Sequence, residues 1–337
     1  MKKALICLLL ALALVAAFEP HVRGTIEEKI SGLLAQPQEG ERADTPTFSQ
    51  QLGGASRTDL LDVTLYFRFA DTGLLGAQQA QLDIRREETV ATSIVQKLIE
   101  GPDIAHERLS GVFPQGTRVI SVTGEGATAF VTLSSGFLGK PDGAPADWED
   151  LPEWQEEAAL RRRLAVQSIA LALTEDGRFQ RVQLYVADND DEIPQRIPMA
   201  LMDTSVTDPA LVLAACPRDE QAMLTPGRAL EMAMEAWQAQ DWAALYPLMA
   251  NAQDDPLPTL TVFETEMAGM GISLLAFSVS SGTVSFDGQS ATLVLDAEIR
   301  SRDGGDAQIV RESVPLRRVQ DNWTLEMGTL RSLMIRD

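Results

Sequence analysis

The chain has 337 residues, room for about two ordinary domains, and its 45% hydrophobic content can fill sizeable cores. Its 49 acidic residues against 28 basic ones leave a formal charge of −21. An acidic surface repels phosphate backbones and anionic headgroups, which argues against nucleic-acid binding.

Lys2 and Lys3 precede an unbroken apolar run, Ala4 to Phe18. Its 15 residues fall short of the ~20 that span a bilayer as a helix. A basic start, a short apolar segment and small residues at its end describe a secretory signal, with Val15-Ala16-Ala17 as a cleavage site. The alternative is an uncleaved anchor with Glu19 and His21 in the headgroups. Residues 1–18 are thus expected to be a signal peptide or N-terminal anchor, and the body of the protein to be extracytoplasmic, secreted or membrane-tethered. Cys7 lies inside the apolar run, too close to the start for a lipoprotein cysteine. Removal of the signal leaves only Cys216, which excludes an intramolecular disulfide and a thiolate metal cluster.

Val22, Ile26, Ile30, Leu33 and Leu34 recur at helical spacing, and Gln, Gly, Ser, Thr and Pro dominate from Gln36 to Thr58. Residues 19–60 therefore read as an amphipathic segment and a flexible linker. In "LDVTLYFRFA", Val63, Leu65 and Phe67 alternate with Thr64, Tyr66 and Arg68, which predicts a half-buried strand. "REETVATSIVQKLIEGP" predicts a helix opened by acids and stopped by Gly101-Pro102. "FPQGTRVISVTGEGATAFVTLSS" reads as a hairpin whose turn glycines supply positive φ angles. An acidic insertion runs from Lys140 to Pro152. "EWQEEAALRRRLAVQSIALALT" predicts a long helix in which Glu157 and Arg161 form an i,i+4 pair, and "RVQLYVA" a closing strand. The order β-α-β-β-α-β builds a small α+β layer with two helices on one sheet face.

Residues 203–223 read as a connector. "TPGRALEMAMEAWQAQDWAALYPLMA" predicts two helices broken near Asp241, and a short helix follows over Thr259–Gly269. Then come four strand-like segments, "SLLAFSVSSGTVSF", "SATLVLDAEIRS", "AQIVRESVPLRRV" and "NWTLEM". Asp287-Gly288, Asp303-Gly304-Gly305 and Gln320-Asp321-Asn322 mark the turns between them. Helices followed by a meandering antiparallel sheet make a second small α+β domain.

From Leu61 to Met202 the segments "VTLYF", "VQKLIEGP", "VFPQGTRVISV", "ATAFVTLSSGFL", "LAVQSIALALT" and "VQLYVADNDDEIP" follow one another in the order of the GerMN domain of sporulation and germination proteins. Residues 61–202 resemble that family. A single copy is present where some members carry two, and the acidic insertion with Trp148 and Trp154 departs from the pattern. The resemblance implies an extracytoplasmic module related in shape to ring-building domains, with no catalytic set. It also implies assembly or peripheral binding, with envelope or sporulation proteins as partners. Residues 224–337 are similar in architecture to the cystatin-like cone of ketosteroid isomerase, SnoaL-type cyclases and the nuclear transport factor group. That fold hosts enzymes and plain binding modules alike.

No segment supplies a catalytic constellation, and no cofactor or metal is expected. Gly124-Glu125-Gly126 leads into a strand, not the helix that a dinucleotide loop requires. "DNDDE", Asp188–Glu192, has carboxylates for a hard cation but lacks calcium-loop spacing, so it reads as a solvated turn. Asp147, Glu149, Asp150, Glu153, Glu156 and Glu157 read as a solvated loop and helix start. Trp148 and Trp154 among them are candidate partner-docking residues, against the plainer reading that they cap a core edge. Trp237, Trp242, Tyr246, Phe263 and Trp323 are candidates for lining a cone pocket, with Glu235, Asp241 and Glu264 as acids by type. Ordinary core packing competes there too. His106 reads as a surface loop residue. The leading expectation is a non-enzymatic envelope assembly protein linked to sporulation or germination. The alternatives are a small-ligand binder or isomerase-like enzyme in the second domain, or an accessory of a membrane sensor.

Overall fold

The computed structural model describes residues 59–84, 88–189, 192–251, 256–301 and 307–334. The expected export segment, amphipathic segment and most of the linker, at 1–58, lie outside the described residues. So do Asp190 and Asp191 of the acidic turn and the Asp303-Gly304-Gly305 turn. Within the described residues the chain is α+β, with its strands divided among several small sheets.

β1 (Asp59–Phe69) begins where the linker was expected to end. From Leu65 to Phe69 every side chain is buried, so this half of the strand is covered on both faces, not one. The long helix α2 (Pro152–Thr174) covers it, and Ser168 Oγ donates to the Tyr66 carbonyl at 2.6 Å. Ala70 and Asp71, at φ of 44° and 57°, reverse the chain into β2 (Leu75–Ile84). This strand is missing from the expected order. Leu75, Gly76, Ala77 and Gln78 are all buried, so no period of two marks them, and its glutamines hide the rest.

α1 (Val90–Glu100) is capped by Thr89, whose hydroxyl accepts from the Thr92 N–H at 3.1 Å. Its first turn holds no acids, so the expected acidic opening lies outside the helix. β3 (Leu109–Ser110) completes a sheet of order β2-β1-β3. β4 (Val119–Glu125) and β5 (Thr128–Leu133) form the expected hairpin. Only Gly126 has a positive φ, 57°, at the first loop position of a two-residue turn. Gly124 serves a different end, because a Cβ there would sit 2.8 Å from the Phe179 ring. α2 carries the chain across to β6 (Arg181–Val186), parallel to β5, as a parallel pair demands of its connection. β7 (Gln195–Arg196) and β8 (Cys216–Pro217) extend this second sheet, so the one expected layer is two sheets.

The residues before Leu224 are called the first lobe and those from Leu224 on the second; in the second, Thr225 caps α3 (Pro226–Ala239), accepting from the Arg228 N–H at 3.2 Å. Gln240, at φ 56°, ends it, and Asp241 caps the short α4 (Trp242–Leu245). After β9 (Met249–Ala250) and α5 (Leu260–Met270) come the four strands foreseen from the pattern. They are β10 (Ile272–Val284), β11 (Ser290–Ser301), β12 (Gln308–Val319) and β13 (Asn322–Glu326), in a sheet β10-β11-β12-β13-β9. β11 buries Ala291, Leu293, Leu295, Ala297 and Ile299 on one face, the period of two that made it legible. Gly282 lies in a bulge of β10, where a Cβ would come within 1.8 Å of the Thr292 carbonyl oxygen. α6 (Met327–Met334), not foreseen, buries Leu330, Leu333 and Met334.

The lobes meet along β2. Asn322, 3% exposed, accepts from the Ala77 N–H at 3.1 Å and donates to the Ala77 carbonyl at 3.2 Å. Gly76 makes room for it, since a Cβ there would lie 2.3 Å from Asn322 Oδ1. Gln320 donates to the Ala105 carbonyl at 2.7 Å, and Arg108 to the Met249 carbonyl at 2.7 Å. His106 is half-buried in this joint, its Nε2 3.6 Å from Asp321, and is not the surface residue expected from its loop.

Candidate functional site

Two clefts flank α1. A polar groove of about 600 Å³ runs between the end of β2, one side of α1 and the segment Thr117–Val119. Lys97 on its α1 side pairs with Asp103 at 3.2 Å and Glu100 at 3.6 Å. Buried Gln78 donates to Asp103 at 2.8 Å and accepts from its N–H at 3.0 Å, which fixes the loop after the helix. On the other side lies an apolar cleft of about 210 Å³, walled by Leu61, Val63, Val90, Ile94 and Phe179. The Arg178 guanidinium stands 5.4 Å over the Phe179 ring.

A third cleft, of about 290 Å³, opens where α2 meets β8 and is walled by Leu160, Leu164, Met202 and Leu213. Cys216 lines it, with Gln167 Nε2 donating to its sulfur at 3.3 Å. Burial, and then the nearby Asp219, push the Cys216 thiol up, which keeps it protonated and a poor nucleophile. In a Cys7→Ser protein, a disulfide reagent at pH 8 is therefore expected to label Cys216 several-fold more slowly in the folded state than in urea. Equal rates would contradict a shielded thiol.

The five expected cone-pocket residues are packed side chains. Trp237 is 1% exposed and donates from Nε1 to the Ile272 carbonyl at 3.2 Å. Tyr246 donates to the Pro258 carbonyl at 2.9 Å, and its ring meets Phe263 edge-on at 5.4 Å. Trp323 is buried under Arg318, and Trp242 packs against the core. None of the five lines the clefts above. Of the acids named with them, Glu235 is exposed beside Arg228, Asp241 caps α4 and Glu264 is half-buried. Trp148 in the acidic insertion and Trp154 in the first turn of α2 are both half-buried, and the buried Arg162 lies 5.8 Å from the Trp148 ring. In the acidic turn, Glu192 folds back to accept from the Asp188 N–H at 2.7 Å.

One ionisable cluster escaped the sequence because its members are far apart in the chain. Tyr66 donates to Glu175 at 2.8 Å, and Arg218 reaches the same carboxylate at 2.7 Å. Burial, reinforced by Glu175, raises the Tyr66 phenol to about 12. The folded state thus holds this proton more tightly than the unfolded chain. The associated stability is present below the ordinary phenol pKa of about 10 and is lost as pH rises from there toward 12. Denaturation profiles should show this alkaline loss, and Tyr66→Phe should remove it. An unchanged profile would exclude Tyr66 as its source.

Residues 64–192 match the family model Germane, described as sporulation and spore germination. The match falls within the first lobe. Among solved structures, the chain is similar to the tandem GerMN domains of the sporulation protein GerM from Bacillus subtilis. The identity is 13% and the TM-score 0.31, over 52% of this chain and 51% of that one, so the chain spans about half of that structure. The first GerMN domain of the same protein aligns at 19% identity and TM-score 0.26, over 38% of this chain and 84% of that one. An NTF2-like family protein from Streptomyces avermitilis aligns at 22% identity and TM-score 0.21, over 29% of this chain and 86% of that one. No curated protein matches the chain. Among the described residues, no helix is long and apolar enough to cross a membrane. The matched stretch includes most of β1, all of β2 and α1, and every residue that lines the polar groove beside α1.

Proposed function

We propose that this protein is an extracytoplasmic assembly or binding protein of the bacterial cell envelope, acting in sporulation or spore germination without chemistry of its own. The observation that carries the proposal is the Germane match over residues 64–192. The site supports a binding role. Its grooves are walled by strand edges and apolar side chains, its one described thiol is shielded, and Tyr66, Glu175 and Arg218 are engaged with one another. The basic start and apolar run at Lys2–Phe18 support export. Residues 61–202 and 224–337 serve as the two working units, and Trp148 and Trp154 offer a contact for an envelope partner.

The test is deletion of the gene in its native organism. Heat-resistant spore yield and germination are then scored, with complementation by the full chain. A defect restored by the chain is expected. Normal spores and normal germination would overturn the sporulation role. Export is tested separately: protease added to intact protoplasts should digest the tagged protein, and full protection would overturn the location.

A further inference from the structure

β2 lies at the edge of its sheet, and that edge is divided into a covered and an open half. In an antiparallel ladder, alternate residues direct both backbone groups toward the same neighbour. Leu75, Ala77 and Gln79 direct theirs away from β1, and each meets the second lobe. The Leu75 carbonyl accepts from the Leu224 N–H at 2.9 Å, and Ala77 is bonded through both groups to the Asn322 amide. The Gln79 N–H donates to Asp321 Oδ2 at 2.9 Å. The Asn322 amide takes the place that a peptide unit of a neighbouring strand would occupy. By the same parity Gln81 and Asp83 turn their N–H and C=O outward, and among the described residues nothing receives them. This open half lines the groove of about 600 Å³ together with α1 and Thr117–Val119.

We infer that the groove takes an extended segment of a partner polypeptide, added as a strand to β2 at Gln81 and Asp83. Strand addition satisfies the open backbone groups, and side-chain contacts along the groove select the sequence. Charge defines that sequence. Asp83 and Arg118 both line the groove, are exposed and have no side-chain partner among the described residues, whereas Lys97, which also lines it, is held by Glu100 and Asp103. The fitting segment therefore carries a basic residue over Asp83 and an acidic one over Arg118. This names the binding chemistry of the assembly role proposed above and rests on it. Its test is a binding measurement, so it stands or falls apart from any spore phenotype.

Random decapeptides displayed on phage are selected on the full chain and compared on a Gln81→Pro variant. Proline at 81 removes the outward N–H and leaves the β1 ladder intact. Selected peptides are expected to lose about tenfold or more in affinity on that variant, the equivalent of about 1.4 kcal/mol. N-methylation of alternate peptide amides should produce the same loss on the unaltered protein. Asp83→Lys should replace the basic residue of the selected sequences with an acidic one. Bound peptide should slow amide exchange at Gln81 and Asp83. Should Gln81→Pro fail to fold, the N-methyl series and the exchange rates decide. Failure to select any peptide, or peptides indifferent to N-methylation with no protection at Gln81 and Asp83, would overturn the inference.

Discussion

Glu157→Ala is expected to lower the folding free energy by about 3–5 kcal/mol, the usual result of stripping the partner from a buried charge. Arg68 is 5% exposed on β1 and reaches out of the core to Glu157 on α2. Its Nε and Nη2 also donate to the carbonyls of Thr72 and Asp71, at 2.8 and 2.6 Å, so the guanidinium ties the β1–β2 turn to the helix. Without the carboxylate, a buried cation is left with carbonyls alone. Arg68→Met should cost less, about 1–2 kcal/mol, because it leaves two turn carbonyls unbonded but no orphaned charge. Glu157 would then still be held by Arg161 at 2.6 Å and by water. Burial pushes the Glu157 carboxyl up, but the bonds from Arg68 and Arg161 outweigh it and hold the group below the usual carboxylate range. Its contribution is therefore present above the ordinary carboxyl pKa of about 4.3 and fades as pH falls through the lower folded value. Urea titrations of the three proteins from neutral to acid pH check both points. Equal losses for the two variants would sink the asymmetry.

The second large effect lies in the joint between the lobes. Asn322→Ala should cost about 2–4 kcal/mol, because it leaves the buried N–H and C=O of Ala77 without partners. Gly76→Ala should cost a similar amount, about 1–3 kcal/mol, by forcing a methyl group into the space that Asn322 Oδ1 occupies. Once the amide is gone, that clash is gone, and Leu109 can move its methyl aside. The double variant is therefore expected to lose clearly less than the sum of the two single losses. Thermal unfolding of the four proteins measures the coupling. Strict additivity would mean that the two residues do not share the site.

Legibility from sequence followed burial. Strands with one buried face, such as β11, announced themselves by alternation, and α1 and α3 by an apolar stripe between cap and stop. β2 did not, because its first four residues are buried on both sides and its inward polar group, Gln78, is satisfied by Asp103. α6 follows β13 without a turn signal between them, so its short pattern merged with the strand. The i,i+4 pair of Glu157 and Arg161 was visible as a local rule, whereas Arg68, 89 residues away, was not. The aromatic residues of the second lobe were readable as large apolar groups, but composition carries no information about whether such groups enclose space or fill it. The grooves beside α1 were equally invisible, since they are lined by segments far apart in the chain that meet at one helix.

The turn Gln320–Asn322 has a consequence for how such a chain can be shuffled. It treats the lobes as lock and latch, because three residues at the end of one complete the backbone bonding of the other. A descendant that lost its C-terminal half would bare Leu75, Ala77 and Gln79 as a sticky ribbon, open to edge-to-edge polymerisation. Survival of the front half alone would demand new shielding there, such as a charged or proline-bearing strand. The two halves are therefore expected to be inherited as a unit.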